Sequence, residues 1–147
     1  MSAAQSSTPQ FPNTVRFDTI EVGQSLGPVT HHVTAEMIRA YTESTGDLHP
    51  DYLGAAPIAP PAMATIFSTR LMGRVGIDRP SGGIHAKQEY EFLAPLRAGQ
   101  TVTTTGRVVE KTVRRGRNYV VYEALSVDES GRAIARCRVT QIFAASA

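Results

Sequence analysis

The sequence predicts an α+β domain in which an antiparallel sheet wraps around one long central helix. Three observations favour this fold class: an apolar stretch with helical spacing after residue 60, several later stretches in which apolar and polar residues alternate, and turn signals between those stretches. An apolar helix needs cover on most of its sides, and a curved sheet supplies that cover within one core. With 147 residues, the chain is long enough for one such domain and too short for two ordinary ones.

The N-terminal part predicts a tail, two short extended pieces and a helix. Residues 1–12 are polar and predict a flexible tail, so a single domain is expected over residues 13–147. Residues 14–34 favour two extended pieces separated by glycine-containing turns. Thr34 then suits a helix N-cap, and the apolar spacing that follows predicts a helix that ends at Gly46.

A loop leads to the central helix, and the sheet follows. Pro61 suits the first turn of the central helix, because proline lacks the N–H group that this turn would leave unbonded. Beyond it, Ala62, Phe67 and further apolar residues are spaced for burial on most sides. About four long strands come next, joined by hairpins whose turns are Arg114–Arg117 and Asp128–Gly131.

Charge and cysteine content exclude several classes of function. Fifteen Lys and Arg against thirteen Asp and Glu leave a net charge of +2, which gives nucleic-acid binding no support. The single cysteine, Cys137, fits a reducing compartment, so a cytoplasmic location is expected. No apolar run reaches the roughly 18 residues of a membrane span. The histidines and the cysteine lack zinc-like spacing, so we predict no metal and no cofactor.

The residues after the first helix resemble a known family motif. Residues 46–52 read Gly-Asp-Leu-His-Pro-Asp-Tyr. The MaoC-like (R)-specific enoyl hydratases and 3-hydroxyacyl dehydratases carry Gly-Asp-x-Asn-Pro-x-His at this place. Here His49 replaces the motif asparagine and Tyr52 replaces the motif histidine. Downstream, residues 59–63 and 85–102 resemble the FAS1-like dehydratase subfamily.

This resemblance implies a hot-dog fold and a hydro-lyase activity. Family members add water to an enoyl thioester, or remove it from a 3-hydroxyacyl thioester, on coenzyme A or an acyl carrier protein. They work as homodimers, as heterodimers or as tandem pairs of hot-dog units. In catalytic members the motif aspartate and histidine share a water molecule, and N–H groups at the start of the buried helix polarise the thioester carbonyl.

The resemblance also assigns roles to residues of this chain. Hydration needs a base near the attacking water and preformed donors for the enolate-like oxygen. The catalytic candidates are Asp47, His49 and Tyr52. The candidate donors to the thioester oxygen are the backbone amides of Ala62 and Met63. The expected substrate-pocket residues are Pro61, Phe67, His85 and Gln88.

Tyr52 in the place of the motif histidine leaves three hypotheses open, because a phenol is a poor base at neutral pH. In the first, Asp47 and His49 face the same way in an extended stretch and form a substitute acid–base pair. In the second, the chain is a non-catalytic subunit that binds the acyl chain beside a hot-dog partner with an intact motif. In the third, the scaffold supports another reaction, such as thioester hydrolysis or polyketide-type cyclisation.

Overall fold

A computed structural model describes residues 16–74 and 83–144 of the chain, so the predicted tail lies outside the described residues. Five strands form one sheet in the order β1-β3-β4-β5-β2, with antiparallel pairing between all neighbours. No helix within the two described ranges is long and apolar enough to span a membrane. The elements in chain order are β1 Ser25–His32, α1 Ala35–Thr45, a first 3-10 helix Pro50–Tyr52, a second 3-10 helix Pro61–Met63, α2 Ala64–Arg74, β2 Ile84–Phe92, β3 Thr101–Arg114, β4 Arg117–Asp128 and β5 Ala133–Phe143.

The structure confirms the four long strands after α2 and the hairpins that join the last three, whereas β2 pairs with β5 and not with β3. Strand β3 pairs with β4, and β4 pairs with β5, around the predicted turns. In β5, Cys137 and Val139 are buried, whereas Arg136 and Arg138 are exposed. This alternation gives the sheet one face toward the core and one face toward solvent.

Only one of the two predicted N-terminal strands is present. Residues 16–20 form a turn instead, in which the amides of Thr19 and Ile20 both donate to the carbonyl of Arg16 at 3.1 Å. Ile20 is buried in the core, and Phe17 packs against the same core cluster. The three-residue spacing of these two apolar side chains suits a turn, whereas a strand would place them on opposite faces.

Helix α1 begins and ends where the sequence predicts. The hydroxyl of Thr34 accepts a hydrogen bond from the amide of Met37 at 3.1 Å, which is the expected N-cap. Gly46 has φ 71° and its amide donates to the carbonyl of Thr42, which ends the helix. Ile38 has no exposed surface and anchors α1 to the core.

Helix α2 lies against the core face of the sheet, but it is short. It has 11 residues and follows a single 3-10 turn, so residues 16–74 and 83–144 contain two short α-helices and do not clearly show one long central helix. Met63 and Phe67 are each 1% exposed, and the ring of Phe67 packs 5.3 Å from the ring of His31 in β1. Ala62 was expected on the buried face but is exposed, because a 3-10 turn has a tighter period than an α-helix.

The turn between β4 and β5 holds the connection from β2 to β3 in place. The carboxylate of Asp128 accepts from the hydroxyl of Ser130 at 2.6 Å, from Nε of Arg132 at 3.1 Å and from Nε2 of Gln100 at 3.4 Å. Arg132 also donates from Nη2 to the carbonyl of Pro95 at 3.2 Å. Hydrogen bonds from Ser130 and Arg132, led by the one from the Ser130 hydroxyl, lower the pKa of Asp128 to about 2.

We expect the Asp128→Asn variant to be less stable than the wild type at neutral pH, because it loses the ionised acceptor of this network. In the folded chain, Asp128 stays ionised at pH values at which the same carboxylate is already protonated in the unfolded chain. The contribution of this carboxylate should therefore be complete above about pH 5 and decline as the pH falls from about 4 to about 2. Urea unfolding followed by circular dichroism over this pH range measures the difference.

The matched control is Glu43→Gln, which removes an exposed carboxylate from α1. It should leave the unfolding midpoint nearly unchanged at each pH. An Asp128→Asn variant that is as stable as the wild type at neutral pH would contradict the anchoring role of this network.

Candidate active site

An apolar cavity of about 380 Å³ lies beside the start of α2. Its size falls within the range of small-molecule sites. Both 3-10 helices, the first turn of α2, the end of β2 and the start of β5 contribute to it. Its apolar walls include Met63, Phe67, Phe92, Leu96 and Ile134, and its polar end carries Asp51 and Tyr52.

The cavity brings together some of the predicted site residues and leaves others outside. Those that line it are Tyr52, Pro61, Met63 and Phe67. Those outside its lining are Asp47, His49, Ala62, His85 and Gln88. The two groups are close in sequence, so backbone geometry decides which side chains reach the cavity.

His49 caps the first 3-10 helix. Its Nδ1 accepts a hydrogen bond from the amide of Asp51 at 3.3 Å, and its ring lies 5.4 Å from the ring of Tyr52. A neutral imidazole that accepts at Nδ1 carries its proton on Nε2, so it has no free lone pair to take a proton from water. In this position His49 can donate a hydrogen bond, but it serves as a base only if the cap breaks.

Asp47 also binds backbone. Its Oδ1 accepts from the amide of His49 at 3.4 Å, in the local pattern that aspartate adopts in turns. The described hydrogen bonds do not join the Asp47 carboxylate to the His49 ring. The substitute pair expected from an extended stretch is therefore not assembled, because Pro50 starts a helical turn directly after His49.

The start of the second 3-10 helix offers one backbone donor rather than the two that were predicted. The amide of Met63 donates to the carbonyl of Pro60 at 2.9 Å, so the prediction that it is a free donor is wrong for this structure. Pro61 has no N–H. The first N–H groups of a helix lack intrahelical acceptors, which leaves Ala62 with the available donor.

Asp51 is a cavity residue that the sequence did not single out. Its carboxylate is 66% exposed, and it lines the polar end of the cavity with Tyr52. The amide of Ile58 donates to the backbone carbonyl of Asp51 at 2.9 Å and holds this turn in place. Pro50 could have indicated this turn from the sequence, because proline at a first helical position predicts a turn rather than an extended loop.

His85 and Gln88 share one face of β2 because the strand is irregular. Their partners in β5, Gln141 and Val139, are both buried, and the register shifts directly after His85. Without this bulge an odd spacing would place the two side chains on opposite faces. His85 is exposed, and Nε2 of Gln88 donates to the hydroxyl of Tyr90 beside the cavity.

The described residues offer no stronger alternative site. A larger concavity of about 860 Å³ lies on the outer face of the sheet, where Arg107, Glu123 and Arg138 cross neighbouring strands. Arg138 pairs with Glu123, so most of the charge there is already neutralised. Within residues 16–74 and 83–144, no group of three His, Cys, Asp or Glu side chains could hold a metal ion.

Sequence comparison finds a family and a curated relative. The family model described as "FAS1-like, dehydratase domain region" matches residues 21–137. A UPF0336 protein of Streptomyces griseus subsp. griseus is 28% identical over 128 residues, which covers 77% of this chain and 85% of that protein. The matched region contains every residue that lines the cavity and every predicted site residue.

Solved structures resemble the chain in fold. R-hydratase PhaJ1 from Pseudomonas aeruginosa matches with a TM-score of 0.77 and 17% identity, over 90% of this chain and 88% of that chain. A C-terminally truncated HadBC (3R-hydroxyacyl-ACP dehydratase) complex from Mycobacterium tuberculosis matches with a TM-score of 0.73 and 19% identity, over 82% of this chain and 96% of that chain. These similarities confirm the predicted hot-dog fold.

The cap at His49 can be tested by substitution. We expect His49→Ala to lower the free energy of unfolding by about 0.5 to 1 kcal/mol, because it removes the acceptor for the amide of Asp51. The matched control is His49→Asn, whose side chain is also a good cap and should keep most of that stability. Thermal and urea unfolding measure both variants. An equal loss of unfolding free energy in the His49→Ala and His49→Asn variants would contradict the capping role.

Proposed function

Because the chain belongs to the family of FAS1-like dehydratase domain regions, we propose that it binds an acyl thioester for hydration or dehydration. The substrate is an enoyl or a 3-hydroxyacyl thioester of coenzyme A or an acyl carrier protein. One observation carries this proposal. The apolar cavity is lined by Pro61 and Met63 of the second 3-10 helix, on either side of Ala62, and its polar end carries Asp51 and Tyr52.

The start of α2 suits the thioester carbonyl. The N–H of Ala62 and the positive end of the helix dipole favour the negative charge that develops on the carbonyl oxygen during the reaction. From that point the acyl chain runs along Met63 and Phe67, whose buried side chains exclude water. Ala62 is a single donor, so a second donor has to come from outside this helix start.

The acid–base pair is incomplete within this chain. Asp47 and His49 both bind backbone amides, and a phenol such as that of Tyr52 is a poor base at neutral pH. We therefore propose that a second hot-dog subunit supplies the missing groups, while this chain holds the acyl chain and the carbonyl. HadBC, whose fold resembles this one, is itself described as a complex.

Strand β2 is the surface through which we expect the partner to bind. It is an edge strand of nine residues, and all of them are exposed or half-exposed. Ile84 and Phe92, at its two ends, are both 51% exposed. A long edge of unpaired N–H and C=O groups is a template for another strand. Phe92 also lines the cavity, so a partner at this edge would border the substrate.

A second candidate is a homodimer that works without a different partner. Asp51 and Tyr52 line the same end of the cavity, and the ring of His49 lies 5.4 Å from that of Tyr52. In this candidate, the Asp51 carboxylate takes a proton from water as the new C–O bond forms. The phenol of Tyr52 then donates a proton to the carbon next to the thioester carbonyl and takes up the proton held by Asp51, which restores both groups.

Assays of the chain alone and with a partner separate these candidates. We expect the purified chain to hydrate crotonyl-CoA at least about 100-fold more slowly than a co-expressed pair of this chain and a hot-dog protein from the same genome with an intact Gly-Asp-x-Asn-Pro-x-His motif. Asp51→Asn and Tyr52→Phe should leave most of the activity of the pair. Full activity of the chain alone, abolished by both substitutions, would favour the second candidate. Release of free thiol would instead indicate thioester hydrolysis.

The donor at Ala62 can be removed without deleting a side-chain contact. In the active preparation we expect Ala62→Pro to lower kcat by about 100- to 1,000-fold, because it removes the only free N–H at the start of the helix. Ala62→Gly keeps the N–H and is the matched control, with kcat close to that of the wild type. Circular dichroism checks that the proline variant is folded. A folded Ala62→Pro variant with unchanged kcat would exclude this amide as the donor.

A further inference from the structure

The apolar cavity ends at a cluster of three hydrogen-bonded side chains, Ser68, Gln88 and Tyr90. The ring of Tyr90 stacks on the ring of Phe92, which lines the cavity, with centroids 5.7 Å apart and an interplanar angle of 5°. Ser68 directly follows Phe67, another lining residue, and is only 2% exposed. The cluster therefore borders the cavity without belonging to its open volume.

Three elements pass from the cavity to this cluster in the same direction. Strand β5 runs from Ala135, in the cavity wall, to Cys137. Strand β2 is antiparallel to β5, so Phe92 lies opposite Ala135 at the cavity, and Tyr90, two residues earlier, lies opposite Cys137. Helix α2 starts at the second 3-10 helix and reaches Ser68 in its second turn. The cluster thus lies behind the lining residues Phe67 and Phe92, at the end of the cavity farther from the second 3-10 helix, and Tyr90 also contributes to the outer concavity.

Hydrogen bonds within the cluster use both hydroxyl protons. The hydroxyl of Ser68 donates to the carbonyl of Thr65 at 3.2 Å, and it lies 2.7 Å from the hydroxyl of Tyr90. With the Ser68 proton on the carbonyl of Thr65, Tyr90 is the donor in the second bond, and it accepts from Nε2 of Gln88. Burial raises the pKa of Tyr90, so its phenol stays neutral. Because its hydrogen bonds are formed within the protein, the cluster blocks an acyl chain rather than binding it.

We propose that the cluster of Ser68, Gln88 and Tyr90 limits the acyl chain to about six carbons. The inference rests on the proposed function, since it names the substrate class of the same cavity. An α-helix rises about 1.5 Å per residue, so Ser68 lies roughly 7.5 Å beyond Met63 along the axis. A carbon chain with bonds of about 1.5 Å advances about 1.3 Å per carbon, so about six carbons fill this distance.

A longer acyl chain has to displace the ring of Tyr90. This movement breaks the hydrogen bonds to the buried Ser68 and the half-buried Gln88, and the apolar chain cannot replace the lost partners. Hydrophobic gain from the extra methylene groups is offset by that loss. The protein should therefore prefer short acyl chains, although its cavity walls are apolar.

Binding of two acyl-CoA compounds tests this inference on the full chain alone, because every residue of the cavity and the cluster belongs to it. We expect butyryl-CoA to bind at least about tenfold more tightly than octanoyl-CoA in isothermal titration calorimetry. Tyr90→Ala opens the barrier and should reduce this ratio by at least about tenfold. Tyr90→Phe keeps the ring and should keep the ratio within about threefold. Tyr119→Ala, the same truncation on β4 away from the cavity, should not change it.

Several results would overturn the length limit. They are equal affinity of the wild type for both compounds, no binding of either compound, or an unchanged ratio in a Tyr90→Ala variant that circular dichroism shows to be folded. The experiment does not depend on turnover. A chain that binds butyryl-CoA preferentially, but supports no hydration with any partner, keeps the length limit and loses the proposed reaction.

Discussion

Burial of Met63 and Phe67 between α2 and the sheet is the interaction on which the rest of the structure depends. Both side chains are 1% exposed, and burying a side chain of this size contributes about 1.5 to 3 kcal/mol. Their packing holds the start of α2 beside the end of β2 and the start of β5. It thereby places the second 3-10 helix, which contains Ala62, at one end of the cavity and Ser68 behind the lining residue Phe67.

Local signals predicted much of the fold, because they agree with the final packing. The cap at Thr34 and the alternation along β5 are examples, and the family resemblance gave the correct fold family. Side-chain directions in the site were harder to predict. A bulge turns His85 to the face of Gln88, and a bond to a backbone amide makes His49 a cap. Both depend on backbone hydrogen bonds that residue spacing does not encode.

The chain contains the proposed binding elements of the site but not a complete set of proton-transfer groups. The binding elements that we propose lie within the chain, namely the apolar walls, one backbone donor at Ala62 and the hydrogen-bonded cluster at Tyr90. The proton-transfer groups are incomplete, because Asp47 and His49 each accept a hydrogen bond from the backbone amide two residues further on. The exposed edge of β2 borders the same cavity, so a second hot-dog subunit at this edge would complete the site where it is deficient.

An experimental structure of the chain with butyryl-CoA bound tests the central claim most directly. The thioester oxygen should lie within hydrogen-bonding distance of the N–H of Ala62, with the end of the acyl chain against the ring of Tyr90. A ligand bound instead in the outer concavity between Arg107 and Arg138, or an acyl chain that points away from α2, would contradict the assignment of the site.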